Sequence, residues 1–408
     1  MRLFYADVSD IDEWMRLIYE VRWNFPGLET AEKLEEYRQT VLKFMGKRQA
    51  ICIKHENAIK AVMLFSRGRN MICCLAAAPD FRRKGAASML MDEALSNLDR
   101  TKEITVSTFR AHDEKGSAPR ALYEKYGFVP EALIEEMDYP NQRYVLYPEG
   151  AEKKERQISI NRMVRSICQI LSDNRPSVYL YGSCALNDFR IGWSDIDILV
   201  LTEKEILASQ AEKLVFLRQE MLKKEPGNPY YRQFEGGMLS LEAFLSKTSA
   251  RVVYWGTSGE RITDQYHFDS FCMAQLMESG VLLGGQDIRN RLRAPAFEDL
   301  REDIGRHLET IRKYAGATGA SLYTFGWMLD IARCLYTLHT GKIIAKTDAG
   351  KWALSNRLCP DKEAMEFSLK VRENPKAHAA DSAVFEYAMT LNKPIQEFAD
   401  VLEKHMKA

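Results

Sequence analysis

Two stretches of this 408-residue chain place polar and charged side chains at spacings that chemistry can use. The first is Arg82-Arg83-Lys84-Gly85-Ala86-Ala87, which lies between an apolar run and an amphipathic one. Glycine and small alanines let a backbone approach a ligand, and the start of a helix offers unpaired N–H groups. Aligned peptide dipoles and three neighbouring cations make the segment a candidate anion cradle, suited to a pyrophosphate. A basic loop that merely opens a surface helix would carry the same residues, so the hexapeptide needs its context.

The second stretch is Gly182-Ser183, followed after eleven residues by Asp195-Ile196-Asp197 and the apolar run Ile198–Leu201. Residues i and i+2 of a strand face the same side, about 6.6 Å apart along the backbone. Two carboxylates so placed can share a pair of Mg²⁺ ions about 3.5–4 Å apart, as phosphoryl and nucleotidyl transfer require. Mg²⁺ takes oxygen ligands, commonly one or two carboxylates with the rest from phosphates and water. The Gly-Ser pair adds a tight turn, a hydroxyl and backbone N–H groups for a triphosphate.

The elements that would position these groups follow from periodicity. Residues 1–147 read as mixed α/β. A helix spans Ser9–Val21, short strands lie at Ala50–Lys54, Ala58–Phe65 and Met71–Ala77, and a turn forms at His55-Glu56-Asn57. A helix follows Pro79, then come a strand at Glu103–Phe109, a helix ending near Tyr126 and a strand near Arg143–Tyr147. Turn residues and a charge run across 148–156 predict a linker. Residues 157–270 form a second α/β region, with a helix at Ile158–Leu171 and strands at Ser177–Tyr181, Ile196–Leu201 and Met238–Phe244. From 271 to 408 the period becomes almost wholly helical, which predicts an α-helical bundle. The expected fold class is therefore multidomain α/β and α+β, with an N-terminal mixed sheet, a central sheet and the C-terminal bundle.

Composition narrows the partners. Lys plus Arg total 57, as do Asp plus Glu, and the chain is 46% hydrophobic and 28% charged. Such a mixture fits folded domains and excludes disorder, collagen and coiled coil. The balance holds on both sides of residue 150, with 22 basic and 23 acidic residues before it. No basic surplus marks either part for phosphate-backbone binding, so nucleic acid is not an expected partner. Eight cysteines without a CxxC pair read as free thiols. No apolar run approaches the roughly 20 residues of a membrane span, and the acidic start is unlike a signal peptide. The expectation is a cytoplasmic enzyme.

The run Leu75–Ala87, with Pro79 and Arg82-Arg83-Lys84-Gly85-Ala86-Ala87, resembles the acyl-coenzyme A signature of the GNAT acetyltransferases. About 35 residues later, Ser117–Phe128 is similar to that family's second signature, with Ser117 where asparagine is usual. The resemblance implies that the amides of residues 83–88 hold the pyrophosphate of acetyl-coenzyme A. It also implies that Tyr123 protonates the leaving thiolate, a task its reference pKa near 10 allows. No general base stands out; Glu103 and His112 are candidates without a spacing argument.

The segment from Gly182 to Asp197, closing on Ser194-Asp195-Ile196-Asp197, resembles the nucleotidyltransferase superfamily and above all its antibiotic adenylyltransferases. Those enzymes use a third carboxylate on a neighbouring strand. Glu242, alone in the apolar run Met238–Phe244, is the choice, with Glu235 second. The stretches Glu278–Asp287 and Ala332–Lys346 are similar to the aminoglycoside 3''/9-adenylyltransferases, in which a lysine after a Thr-Gly turn contacts the ATP phosphates. Lys346 matches it. The acidic residue those enzymes use to grip the drug has no counterpart, since Tyr323 falls there.

Together these resemblances imply a bifunctional transferase. One half would move an acetyl group from acetyl-coenzyme A. The other would move a nucleotidyl group from ATP, with Mg²⁺ held by Asp195, Asp197 and Glu242, to an aminoglycoside-like antibiotic. Two other readings stay open on sequence alone: a toxin-like or regulatory nucleotidyltransferase acting on protein or tRNA, and a GNAT half that only senses coenzyme A.

Overall fold

The computed structural model describes every residue except Ser249, Thr257, Ser258 and Ala408. The chain divides into two compact units, Met1–Arg162 and Met163–Ala408.

The first unit is built on a seven-stranded sheet. Its strands are β1 (Arg2–Tyr5), β2 (Ala50–His55), β3 (Ala58–Ser66), β4 (Met71–Ala77), β5 (Ile104–Phe109), β6 (Val129–Glu136) and β7 (Tyr139–Leu146). Their spatial order is β1-β2-β3-β4-β5-β7-β6. Helices α1 (Ile11–Val21), α2 (Ala31–Gly46), α3 (Ala86–Asn97) and α4 (Ser117–Lys125) fill the connections. The core gathers Trp14, Ile18, Ile51 and Phe65, all fully buried. Hairpin β2–β3 turns at Glu56 and Asn57, both with positive φ (49° and 65°), the backbone that matches the twist of two-residue hairpins. All strand pairs are antiparallel except β4 and β5, which are parallel and share one paired position, Met71 opposite Thr105. Beyond that position the two strands form no further pairs.

The expected linker is in part a helix. After Gly150, whose φ is +70°, α5 runs from Glu152 to Ile170. Residues Glu152–Arg156 are good helix formers with glutamates in the first turn, so the charge run is helical surface rather than free chain. Lys153 pairs with Glu103 at 2.8 Å, and Asn161 donates to the Pro130 carbonyl at 2.7 Å. The division between units falls inside this helix, later than the sequence suggested.

The second unit carries a six-stranded sheet of order β12-β11-β10-β9-β8-β13. Its strands are β8 (Pro176–Leu180), β9 (Ile196–Thr202), β10 (Phe234–Ser240), β11 (Val252–Gly256), β12 (Gly259–Thr263) and β13 (Val281–Gly284). Only β9 and β10 run parallel. Around and between them lie α6 (Gly182–Ala185), α7 (Ala208–Lys224), α8 (Leu241–Ser246) and α9 (Ser270–Ser279). The bundle follows as α10 (Phe297–Thr318), α11 (Leu322–Thr340), α12 (Lys346–Ser355), α13 (Lys362–Glu373), α14 (Pro375–His378), α15 (Ser382–Thr390) and α16 (Asn392–Lys407). Its apolar core includes Trp193, from the loop just ahead of β9. The loop that carries the aspartates is thus packed into the bundle.

The strand expected at Met238–Phe244 is displaced. Strand β10 begins four residues earlier and ends at Ser240, whose hydroxyl accepts from the Ala243 amide at 3.3 Å and caps α8. An N-cap serine turns the chain into a helix, so Leu241–Phe244 leave the sheet. Among the described residues no helix is long and apolar enough to cross a membrane.

Candidate active sites

In the first unit, Arg83 and Gly85 both take positive φ (57° and 85°), and Gly85 is the N-cap of α3. No side chain caps that helix start, so its first amides stay open to a ligand. A Cβ built at Gly85 would meet nothing within 4 Å, so the turn faces open space. Two of the three cations rest on aromatic faces. The Arg82 guanidinium lies 5.9 Å from the centre of the Trp23 ring, and the Lys84 ammonium lies 5.1 Å from that of Phe81. The arrangement is an exposed, backbone-lined, positively charged hollow at a helix mouth, the form that binds phosphates.

Tyr123, on α4, is buried, with Phe128 and Tyr144 5.8 and 6.3 Å away between ring centres. Burial, with a smaller effect from Cys74, pushes its phenol well above the usual tyrosine range, so it stays protonated. Cys74 stands on β4 beyond the position where β4 and β5 separate. Its sulfur is 3.4 Å from the Tyr37 hydroxyl, which also accepts from Trp14 at 3.3 Å. Glu103 lies at the closed end of the β4–β5 pair, held by Lys153. His112 is exposed in the loop after β5.

In the second unit, the turn after β8 and the start of β9 interlock. Gly182 has φ +67°, and a Cβ there would stand 2.0 Å from Asp197 Oδ2. Only glycine lets the carboxylate press against this turn. The Tyr181 amide donates to the Asp197 carbonyl at 3.0 Å, and the Ser183 hydroxyl to the Asp195 carbonyl at 3.3 Å. The acid brought beside the two aspartates is Glu235, the second choice for a third carboxylate. It stands on β10 directly opposite Asp197 in the parallel register, within hydrogen-bonding reach of Asp195. Glu242, the first choice, sits exposed in the first turn of α8 and not on the strand, because the Ser240 cap ends the strand before it. The next two residues of β10 explain the glycines there. A Cβ at Gly236 would lie 1.8 Å from the Ile198 carbonyl oxygen, and one at Gly237 would lie 2.5 Å from the Tyr266 ring.

Crowding sets the electrostatics. Burial first, then Asp195 and Glu235, push the Asp197 carboxyl up to about 8. Asp195 is raised as well, by burial and then by Glu235. Lys346, at the start of α12, and Arg333, on α11, act against the rise at Asp197. The Tyr254 hydroxyl donates to Glu235 Oε1 at 2.8 Å, and Arg261 lies over the Tyr254 ring at 4.4 Å. Arg218 donates to the carbonyls of Phe234 and Gly256 at 2.9 and 3.2 Å, pinning the start of β10. Tyr323, exposed at the start of α11, stands 6.4 Å from Trp193 between ring centres, near Asp195 and Glu235.

The residues present fit Mg²⁺. Half-buried carboxylates that raise one another's pKa form an excess of negative charge that a divalent cation would neutralise. Among the described residues no three acidic, imidazole or thiol groups close into a finished cage.

Sequence reading missed the cluster that ties the aspartate loop to the bundle. Asp188, buried, accepts from the Thr347 hydroxyl at 2.7 Å and from Arg372 Nη2 at 2.8 Å. Thr347 is the neighbour of Lys346, so this anchor fixes where the lysine starts. Asp188 lies between Ser183 and Asp195 in the sequence, but Arg372 is on α13, far along the chain.

Comparison with known proteins agrees with both regions. Residues 47–130 match the family model described as acetyltransferase (GNAT) domain, and residues 160–227 match nucleotidyltransferase domain. Residues 295–393 match aminoglycoside adenylyltransferase, C-terminal domain. Among solved structures, a GNAT-family acetyltransferase from Bacillus cereus is 18% identical, covering 36% of this chain and 96% of its own, with a TM-score of 0.30. A spectinomycin adenyltransferase from Enterococcus faecialis, solved with ATP and spectinomycin, is 16% identical, covering 60% and 99%, with a TM-score of 0.45. An N-acetyltransferase from Thermoplasma acidophilum, solved with coenzyme A, is 14% identical, covering 35% and 96%, with a TM-score of 0.28. No curated protein matches the chain.

Proposed function

We propose that this chain, which carries a GNAT acetyltransferase domain ahead of a nucleotidyltransferase domain and the C-terminal domain of aminoglycoside adenylyltransferases, is a bifunctional antibiotic-modifying transferase. One half transfers an acetyl group from acetyl-coenzyme A. The other transfers AMP from ATP to a hydroxyl of an aminoglycoside-like acceptor.

In the acetyl-transfer half, the amides of residues 83–88 receive the pyrophosphate, and Arg82, Arg83 and Lys84 supply positive charge around it. The acceptor nucleophile attacks the thioester carbonyl, the carbon–sulfur bond breaks, Tyr123 gives its proton to the departing thiolate, and the proton the acceptor loses passes to water, which returns one to Tyr123. Burial keeps that phenol protonated until the thiolate forms, and the same rise makes it a weaker acid than an exposed tyrosine.

In the nucleotidyl half, Asp195 and Asp197 would hold Mg²⁺, with Glu235 beside them. When bound, Mg²⁺ supplies charge stabilisation to the attacking and leaving oxygens of an in-line displacement. Gly182 and Ser183 present the turn to the triphosphate, and Lys346 contacts its phosphates. Glu235 takes the proton of the acceptor hydroxyl as that oxygen bonds to the α-phosphorus and pyrophosphate leaves. The hydrogen bond from Tyr254 fixes which way Glu235 points.

The observation that carries this reading is the convergence of Asp195, Asp197 and Glu235 on the Gly182 turn with Lys346 acting on the same aspartates. The test is mass spectrometry of an aminoglycoside and aminocyclitol panel incubated with acetyl-coenzyme A or with ATP and Mg²⁺. The reading requires an acetyl adduct in the first case and an adenylyl adduct in the second. A panel left unmodified by both donors would overturn it.

A further inference from the structure

Lys346 occupies a costly place for a cation. It is the first residue of α12, where the helix dipole presents its positive end, and it is largely buried beside Arg333. Desolvation and the Arg333 charge both act to drive its proton off. Asp330 is the group in direct contact that opposes them. Asp330 Oδ1 lies 2.8 Å from Lys346 Nζ and 3.4 Å from Arg333 Nη2, so a single carboxylate oxygen serves both cations. Asp330 and Arg333 are one helical turn apart on α11 and share a face, and all three side chains are at most 28% exposed.

The two cations keep donors in reserve. An ammonium has three N–H bonds, of which Asp330 takes one. Arg333 has five, meets Asp330 only at the long distance given, and its buried Nε has no partner among the described residues. A desolvated guanidinium donor left unmet is expensive unless a ligand completes it. Both cations also act on Asp197. Spare cationic donors facing the carboxylates suit a ligand with several anionic oxygens.

We propose that Asp330 is a positioning residue that holds Lys346 and Arg333 together as a two-cation clamp for the nucleotide's phosphates. The inference rests on the reading of the second unit as an ATP site. It also accounts for the acid on α11: Asp330 is not a grip for the acceptor, because its oxygen is committed to the cations that face the triphosphate. Removing it leaves two like charges adjacent at a helix start, and Lys346 turns away or loses its proton.

The test is calorimetric titration of the full-length protein with a non-hydrolysable ATP analogue and Mg²⁺. The set comprises the wild type, Asp330→Asn, Lys346→Ala, the double variant and Asp330→Glu. Lys346→Ala should weaken binding roughly tenfold to 150-fold, the loss of one charge-assisted contact. Asp330→Asn should weaken it about tenfold, and most of that loss should vanish in the Lys346→Ala background, where there is no lysine to place. Asp330→Glu keeps the charge and should recover most of the affinity. Acetyl-coenzyme A binding should not change in any variant. If Asp330→Asn binds the analogue as well as the wild type or better, the positioning role is wrong. Should Asp330→Asn fail to fold, Asp330→Glu decides: a folded Asp330→Glu variant that recovers no affinity contradicts the clamp. A wild type that binds no nucleotide would overturn the ATP reading itself, and this inference with it.

Discussion

The helix mouth at Gly85 and the carboxylate cluster at Asp197 are, under the proposed function, two answers to the problem of binding a phosphate chain. The first is made of backbone. Its donors are amides left open at a helix start, its cations are exposed and rest on Trp23 and Phe81, and its defining feature is a positive φ at Gly85. The second is made of side chains. Half-buried acids are forced together until Asp197 titrates near 8, and cations stand opposite them on another layer of the fold. The contrast teaches where each site is vulnerable. A backbone site is broken by adding atoms at the glycine, whereas a charge-crowded site is broken by altering one charge.

The largest effect should come from Asp197→Asn, which keeps size but removes one charge from the crowded cluster. Nucleotidyl transfer should fall about a thousandfold, with acetyl transfer unchanged. A steady-state assay of both activities on one preparation checks this. Next is Gly85→Glu. It puts a carboxylate and a Cβ where the pyrophosphate approaches, at a backbone angle that side chains avoid. Acetyl-coenzyme A affinity should drop about a hundredfold or more while nucleotide affinity persists, as read by titration calorimetry on the folded variant.

Glu235 and Glu242 sharpen the side-chain case. Glu235→Gln should cost about a hundredfold in nucleotidyl transfer, the lower range for a general base, while Glu242→Gln should leave the rate unchanged. Equal losses would return the third carboxylate to α8. A smaller effect concerns stability. Asp195 and Asp197 have folded-state pKa values raised above their unfolded ones, so the folded protein binds the extra protons between about pH 4 and pH 8. Stability of the second unit should therefore fall as pH rises through that window. In EDTA its melting temperature should be lower at pH 8 than at pH 5.5 by about 2–4 °C, and Mg²⁺ should narrow the gap. The first unit's cradle holds no such buried acids and should show no matching Mg²⁺ effect.

What could be read in the sequence was what lies close together along it. The stretch from Arg82 to Ala87 and the pair Asp195 and Asp197 are contiguous, and the backbone geometry of a helix start or a strand fixes what they can do. Glu235 stood second because Glu242 is the lone acid in the apolar run Met238–Phe244, which reads as a strand. The strand instead starts at Phe234, with another carbonyl and a tyrosine ring against Gly236 and Gly237, and the second half of the apolar run, from Leu241, is a capped helix. The Asp188–Thr347 and Asp188–Arg372 bonds join residues 159 and 184 positions apart. No local pattern encodes such a contact. It arises only when the bundle packs onto the aspartate loop.

The central claim is that one chain holds two complete and independent transfer sites. The most direct measurement assays acetyl transfer and nucleotidyl transfer, on the same acceptor panel, for the wild type, Gly85→Glu and Asp197→Asn. The account predicts a clean crossing: Gly85→Glu loses only acetyl transfer, and Asp197→Asn loses only nucleotidyl transfer. If either substitution lowers both activities in a protein that remains folded, the two sites share a component or a control, and the claim of independence is contradicted.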